Sequence, residues 1–460
     1  MKKAQMTWRV AGLFLLGTAL VVLTTGPVSA AGGDLLWENR GPTSGNHTLY
    51  RSIVATGRLV FAVGEVGTRA DLEVVTPGDN MDAFVRAVDA KTGATVWEDR
   101  FDIGPLDVLG QVATDGDRVA VGGTVRTTAS FLTADFIVRS YDANSGRTLW
   151  QTVIDKGRGD FAHTLVAHGG RVFVGGQVTN ADGSRDFYVG VLEGQTGEIL
   201  WEDQFQLGRS NERAFAMAVE GERLVVAGTR TSPFSGLPNR LIVRAYHVST
   251  GALLWSDVPL GPHNFFVRNA ALVIHGGLAF VGGTALNAAG NGFDFMVRAY
   301  DLNTGALRWQ DISERGGDID TVYDLSVHGD RLFAVGQGGP GGFYNADLVV
   351  KAYQATSGAV LWDYQIDVAG GDDFLTAVVV QGGTIIACGA VTNPQGNYDF
   401  FVRAFDARTG ALDWQDQVDV GSFDIGFVLA VHGNRIFAAG SLGDFPPGTN
   451  DAAVRAYRGK

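Results

Sequence analysis

A tryptophan recurs through this chain at nearly even spacing, and each copy follows a glycine by four residues. The pairs are Gly33 and Trp37, Gly93 and Trp97, Gly146 and Trp150, Gly197 and Trp201, Gly251 and Trp255, Gly305 and Trp309, Gly358 and Trp362, and Gly410 and Trp414. A repeat of this length is one supersecondary unit, and a run of such units predicts an array or a propeller.

Each repeat also contains two apolar strands that flank a glycine turn, as in 165–176, 325–336 and 429–440. The turn glycines are Gly57, Gly116, Gly169, Gly221, Gly276, Gly329, Gly382 and Gly433. A third apolar strand follows, then a tight turn such as 301–305, and then the strand that carries the tryptophan. Four antiparallel strands per repeat predict a propeller blade. No helical periodicity separates the strands, which argues against βαβ units.

The two ends of the chain complete the blade count. Residues 453–457 form a third strand with no fourth strand after it, and residues 33–37 form a fourth strand with nothing before it. The sequence therefore predicts an all-β fold over residues 31–460. This is a single eight-bladed β-propeller of four-stranded antiparallel blades, closed by pairing of the N- and C-terminal strands in one shared blade. We expect a monomer.

The first thirty residues have the pattern of a signal peptide. Lys2, Lys3 and Arg9 give a basic start, the apolar run 10–23 follows, and small residues end the segment at Ala30. The alternative is an uncleaved membrane anchor, but the apolar run is shorter than a spanning helix needs. We expect cleavage after residue 30, export to the periplasm or the medium, and no transmembrane segment in the mature chain.

Charge and cysteine content exclude several classes of function. The formal net charge is −13 and no basic block occurs, which argues against nucleic acid as a partner. The single cysteine, Cys388, cannot form an intramolecular disulfide and stands in an apolar strand pattern, where we expect it to be buried. No cysteine closely follows the apolar start, so we expect no lipid anchor.

The segments 87–97 and 299–309 resemble the tryptophan-docking repeat of pyrroloquinoline-quinone-type (PQQ-like) propellers. The resemblance extends over the whole mature chain, whereas the spacings of Kelch and WD repeats fit less well. It implies that the eight tryptophans are structural and pack between neighbouring blades. An indole buries a large apolar area and carries one N–H that needs a partner.

The third strand of each repeat carries a cation in all copies but one, where Gly190 stands. These cations are Arg86, Arg139, Arg244, Arg298, Lys351, Arg403 and Arg455. They form either a charged binding ring or repeated internal pairs with a tryptophan or a carboxylate. Because the pattern runs through nearly every repeat, we favour internal pairs.

A second polar set precedes the first strand of most repeats. Five aspartates stand nine residues before a turn glycine: Asp107, Asp160, Asp320, Asp373 and Asp424. Strand alternation places them on the same face as the varied connections between strands two and three, whereas the opposite face has tight, repeated turns. Since function concentrates in variable loops on a rigid scaffold, we predict binding on this variable face, with the aspartates as a cation or polar-ligand ring at the channel mouth. The alternative is that they form Asx-turns that start each inner strand.

No nucleophile elbow, zinc-protease motif or phosphate loop occurs, so no catalytic residue is assigned. The first hypothesis is a non-enzymatic extracytoplasmic binding or scaffold protein that takes a protein or a small polar ligand on its variable face. The chain is also similar to the lipoprotein subunit of the outer-membrane barrel assembly machinery, although it lacks that subunit's lipidated cysteine.

The alternative is a PQQ- and calcium-dependent quinoprotein dehydrogenase. The resemblance implies that such enzymes hold the quinone and a calcium ion over the central channel. This chain lacks the adjacent cysteine pair that many of them carry, and it lacks their large insertions between blades. Their metal ligands match no residue here, so PQQ with calcium is the alternative cofactor and no metal ligand is assigned.

Overall fold

The computed structural model describes residues 32–460, except for the short segments 42–46, 69–79, 129, 131–132, 209, 232–239, 260–264, 288–291, 317–318, 340–344, 369 and 445–449, and the side chains of 265–270. The predicted signal peptide, residues 1–30, lies outside the described residues. The regular structure in the described part is almost entirely β-strand. A helix long and apolar enough to cross a membrane is not found among these residues.

The strands fall into consecutive groups of four. Blade 1 contains β2 (His47–Thr56), β3 (Leu59–Thr68), β4 (Asn80–Asp89) and β5 (Thr95–Phe101); blade 2 contains β6 (Leu106–Thr114), β7 (Arg118–Arg126), β8 (Ala134–Asp142) and β9 (Thr148–Ile154); blade 3 contains β10 (Phe161–His168), β11 (Arg171–Thr179), β12 (Arg185–Glu193) and β13 (Ile199–Phe205); and blade 4 contains β14 (Asn211–Glu220), β15 (Arg223–Thr231), β16 (Arg240–His247) and β17 (Leu253–Asp257).

The second half of the chain repeats the arrangement. Blade 5 contains β18 (Phe265–His275), β19 (Leu278–Leu286), β20 (Phe293–Asp301) and β21 (Leu307–Ser313); blade 6 contains β22 (Thr321–His328), β23 (Arg331–Gly338), β24 (Asp347–Gln354) and β25 (Val360–Ile366); blade 7 contains β26 (Phe374–Gln381), β27 (Thr384–Thr392), β28 (Tyr398–Asp406) and β29 (Leu412–Val418); and blade 8 contains β30 (Ile425–His432), β31 (Arg435–Gly443), β32 (Asn450–Arg458) and β1 (Leu35–Arg40). The prediction of eight four-stranded antiparallel blades is confirmed.

The two terminal strands lie in the same blade. β1 pairs antiparallel with β32, with Glu38 opposite Arg455 and Arg40 opposite Ala453. The first strand of each blade, here called the inner strand, contacts the inner strand of the next blade, and β30 contacts β2. The contacts between inner strands therefore run through all eight blades and return to the first.

The hydrophobic core lies between blades rather than within one blade. One cluster joins Val60 and Phe84 of blade 1 to Phe437 and Val454 of blade 8, and a similar cluster fills each of the other seven interfaces. Both faces of each sheet are thus covered, so the second and third strands are apolar almost throughout. Cys388 is buried in one of these clusters, as expected.

Each tryptophan lies against the glycine of the next repeat. A Cβ atom at Gly146 would stand 2.6 Å from the Trp97 ring, and Gly146 has a φ of +70°, which favours glycine. The Trp97 indole donates its hydrogen bond to the Ala143 carbonyl at 2.8 Å. Equivalent indole–carbonyl bonds run from Trp37, Trp150, Trp201, Trp255 and Trp309. The face of the indole therefore packs against the turn glycine, and its N–H donates a hydrogen bond to a carbonyl of the same turn.

A charged group repeats across the same seams and is here called the interblade triad. Tyr246 donates to Asp203 of the preceding blade at 2.7 Å, and Arg244 bonds the same carboxylate at 3.2 Å. The carboxylates that take this role elsewhere are Asp99, Asp311 and Asp416. The third-strand cations at these seams are therefore internal pairs. Their carboxylates stand two residues after a tryptophan, on the neighbouring blade.

Candidate functional site

The inner strands share an irregularity that sets the lining of the central channel. A β-bulge inserts one extra residue at the same place in seven of them, for example between Ala162 and Thr164, and this turns the extra side chain out of the sheet. The bulge residues are Arg51, Gly110, His163, Phe215, Tyr323, Thr376 and Phe427. All seven line the channel.

The channel contains a cavity of 1040 Å³. Its wall combines aromatic rings, among them Phe374 and Phe427, with polar side chains such as Gln111 and Gln337. A second cavity of 490 Å³ is lined by residues further along the inner strands, including Ser52, and shares part of the wall. The larger cavity borders the beginnings of the inner strands and therefore lies toward the variable face. A cavity of this size and mixed lining is typical of a small-molecule site.

Blade 1 contributes a buried ion pair to this wall. Arg51 donates to Glu65 through Nε and Nη2, both at 2.7 Å, and His47 Nε2 lies 3.5 Å from the same carboxylate. Burial opposes ionisation of Glu65, but the Arg51 guanidinium and the His47 ring outweigh it and hold the pKa of Glu65 below its usual range. The charge of Arg51 is thus compensated within the protein.

Two carboxylates face the channel from blades 6 and 7. Asp324 accepts the backbone N–H groups of Leu325 and Val378, each at 2.8 Å, and burial raises its pKa to about 7. Asp372 accepts a hydrogen bond from Tyr398 at 3.1 Å, and burial raises its pKa as well. Both groups are therefore engaged by donors of the protein itself.

His163 stands in the opposite wall. Its ring lies 5.0 Å from the ring of Phe215. Burial, followed by the positive charges of Arg213 and Arg185, lowers the pKa of His163 to about 4, so that the imidazole is neutral at pH 7. Neither His163 Nε2 nor Gln177 Oε1 makes a hydrogen bond of normal geometry, although the two side chains are neighbours.

The five aspartates of the predicted ring begin or directly precede inner strands, but they do not face open solvent. Asp107, Asp160, Asp320, Asp373 and Asp424 are each 0% exposed. Asp160 accepts the backbone N–H of Lys156 at 2.5 Å and that of Thr179 at 2.9 Å, while its own N–H donates to Ala134 of the preceding blade at 2.7 Å. The hydrogen bonds of Asp160 thus join the loop before the inner strand, the second strand of blade 3 and the third strand of blade 2.

The other members follow the same pattern, with carboxylates that accept loop N–H groups at Ile103, Arg315, Val368 and Val420. Burial raises the pKa of Asp107, Asp160, Asp320 and Asp373 to about 6, although backbone donors bond each carboxylate. Burial also raises the pKa of Asp424. In an Asx-turn the carboxylate accepts the N–H group two residues later, whereas these carboxylates accept N–H groups three to five residues earlier. The aspartates therefore hold the loop before each inner strand without forming Asx-turns, and the binding-ring role stays a prediction.

Comparison with known proteins gives the family. A family model described as outer membrane protein assembly factor BamB matches residues 134–370 and 294–454. Together these matches span more than half of the chain. The protein belongs to this family of PQQ-like propellers. No curated protein matches the chain in sequence.

Solved structures of similar fold include alcohol and methanol dehydrogenases. Quinohemoprotein alcohol dehydrogenase from Comamonas testosteroni is 12% identical, with a TM-score of 0.62 over 93% of this chain and 77% of that one. A europium-containing methanol dehydrogenase is 12% identical, with a TM-score of 0.60 over 92% and 93%. At this identity the likeness is one of fold.

The channel residues do not fit calcium with PQQ. Calcium takes six to eight oxygen ligands, several of them carboxylates. In the described ranges, no three Asp, Glu, His or Cys side chains are grouped as a metal site requires. The channel carboxylates Glu65, Asp324 and Asp372 already accept hydrogen bonds from other protein groups. We therefore assign no step to that cofactor.

Sequence reasoning missed the bulge residues, because a bulge shifts the alternation of a strand without leaving a motif. It also missed the carboxylates of the interblade triads. The signal for these was present in the Trp-x-Asp pattern of one repeat and the Arg-x-Tyr pattern of the next, as in Trp201, Asp203, Arg244 and Tyr246.

Proposed function

We propose that this protein is an exported, non-enzymatic binding propeller that acts as a scaffold through its variable face. The contrast between the two faces carries the proposal. On one face the connections between strands three and four are uniform turns such as 143–147 and 302–306. On the other face, the connections between strands two and three differ in length, from five residues at 180–184 to eleven residues at 69–79. Variable loops on a rigid scaffold are where recognition usually resides.

Two further observations support this role. The family model carries the description of an assembly factor rather than an enzyme. The cavity in the channel lies toward the same variable face, which gives that face a concave centre for a protein segment or a small polar ligand. The net charge of −13 favours a partner that is not nucleic acid.

A site-specific photo-crosslink tests the scaffold role. The crosslinking amino acid is placed at Asp182, an exposed residue of the variable face, and at Thr196, an exposed residue of a uniform turn in the same blade. In the native host we expect one defined protein product from position 182 and none from position 196. Equal products from both positions, or none from either, would contradict the proposal.

Titration with PQQ and calcium tests the alternative function, that of a PQQ- and calcium-dependent dehydrogenase. For a binding propeller we expect no saturable change in absorbance and no change in melting temperature. A saturable change together with oxidation of an alcohol substrate would establish the dehydrogenase instead.

A further inference from the structure

An unusual group of cations lies beside the channel between blades 3 and 4. Arg185, at the start of β12, pairs in parallel register with Asn211, two residues before Arg213 in β14. The fold thus brings the two arginines together from different blades. Burial and then the positive charge of Arg185 lower the pKa of Arg213, and burial lowers the pKa of Arg185.

These arginines have no carboxylate partner within the described part of the chain, where most interior cations are paired. Arg51 is held by Glu65 and Arg244 by Asp203, whereas neither Arg185 nor Arg213 forms a side-chain hydrogen bond or ion pair in the structure. Arg213 Nε is buried and has no acceptor. Arg185 instead stacks its guanidinium over a phenylalanine ring, 5.8 Å from the centroid.

The two carboxylates adjacent in sequence are engaged elsewhere. Asp186, which follows Arg185, accepts hydrogen bonds from Asn180 and Gln204. Glu212 precedes Arg213, but it accepts a hydrogen bond from Ser210 and lies 3.7 Å from Arg230. A pair of partly buried like charges without a counter-ion is unfavourable, because each loses hydration and repels the other. An anion bound between them would remove both costs.

His163 connects this group to the channel. Its ring lines both cavities, and its buried Nε2 lies next to the Gln177 side chain without a hydrogen bond of normal geometry. Arg185, Arg213 and His163 are therefore close to one another, and neither arginine has a carboxylate acceptor among the described residues. Their complement is a ligand group with several acceptor oxygens and a negative charge.

We propose that Arg185, Arg213 and His163 form a binding site for a small oxyanion, the carboxylate or phosphate group of a solute that enters through the channel. Guanidinium groups bind either anion in a bidentate manner, and a neutral imidazole donates through whichever nitrogen carries the proton. The site does not depend on the scaffold role, since a solute anion can occupy the channel whatever the variable face binds.

Calorimetry with the purified mature protein tests the site, with sodium phosphate and sodium succinate as probes and sodium chloride at equal ionic strength as the screening control. We expect saturable binding of one or both oxyanions and none of chloride. Arg185→Gln and Arg213→Gln should each weaken binding about tenfold, the loss expected for one charged hydrogen-bonded contact. Arg147→Gln, at an exposed turn on the opposite face, should bind like the wild type.

The melting temperature of each variant, measured without anion, shows whether weaker binding results from a folding defect. Because Arg213→Gln removes a like charge, its melting temperature without anion should equal or exceed that of the wild type, while the rise caused by the anion should disappear. The proposal is overturned if no probe binds, if chloride acts as well as the oxyanions, or if the two arginine variants bind like Arg147→Gln. Phosphate binding without succinate binding identifies a phosphate ligand, and the reverse a carboxylate.

Discussion

The indole of Trp414 lies against Gly33, and a Cβ atom at position 33 would stand 2.6 Å from that ring. Trp414 belongs to blade 7, whereas Gly33 precedes β1, the outer strand of blade 8. The contact that joins successive repeats elsewhere thus also holds the beginning of the described chain. Gly33 has a φ of +87°, a conformation that side chains rarely adopt.

Gly33→Ala should therefore weaken the attachment of β1. We expect a loss of about 1–2 kcal/mol in the free energy of unfolding from the backbone conformation and about 1–3 kcal/mol more from the clash with Trp414. Chemical denaturation measures the loss, and faster hydrogen exchange in β1 would locate it. Gly57→Ala is the control, because Gly57 also has a positive φ but no atom lies near its missing Cβ. Equal losses in the two variants would show that the indole contact contributes nothing.

The seam between blades 6 and 7 lacks the interblade triad and can be given one. Tyr364 stands where other seams have aspartate, Phe405 replaces the tyrosine, and the buried Nε of Arg403 has no partner. The double variant Tyr364→Asp with Phe405→Tyr should gain about 1–2 kcal/mol in the free energy of unfolding, because it supplies the missing hydrogen bonds.

Phe405→Tyr alone should lose stability, because it buries a hydroxyl with no acceptor. Tyr457→Phe, which removes the hydrogen bond to Asp416 at an intact seam, provides the converse control. If the double variant is less stable than Phe405→Tyr alone, the triad is not transferable between seams.

Asp160→Asn distinguishes the turn role of the aspartate ring from a binding role. An amide cannot accept both the Lys156 and the Thr179 N–H, so we expect a loss of about 1–3 kcal/mol in the free energy of unfolding. Asp155→Asn in the same loop, where the carboxylate is exposed, should change it by less than about 0.5 kcal/mol. Unchanged stability of Asp160→Asn would remove the structural explanation and favour a ligand ring.

Acid should destabilise the protein partly through His163. Its pKa is about 4 in the folded protein and about 6.5 when unfolded, so the unfolded chain binds more protons between these values and stability falls as the pH drops from 6.5 toward 4. The full effect is about 3 kcal/mol. His163→Gln should flatten this part of the pH profile of unfolding, whereas His168→Gln, at an exposed strand end, should leave it as it is. Identical profiles for wild type and His163→Gln would show that burial of this ring does not govern acid sensitivity.

The sequence by itself determined the repeat, the strand order and the number of blades. These follow from local patterns, because turn glycines such as Gly169 and the spacing between Gly197 and Trp201 recur in every copy and need no long-range information. The shared blade also followed from sequence, since residues 33–37 match the pattern of a fourth strand and residues 453–457 that of a third strand.

Tertiary structure alone decided which residues line the channel. The bulges bring Arg51, His163 and Tyr323 to the lining of the channel although no motif distinguishes these residues, and the register of each bulge depends on backbone pairing rather than on composition. It also decided which cations have partners. Arg244 meets Asp203 across a seam, whereas Arg213 lies near Arg185 and has no carboxylate partner among the described residues. Charges far apart in sequence become neighbours only when the blades pack together.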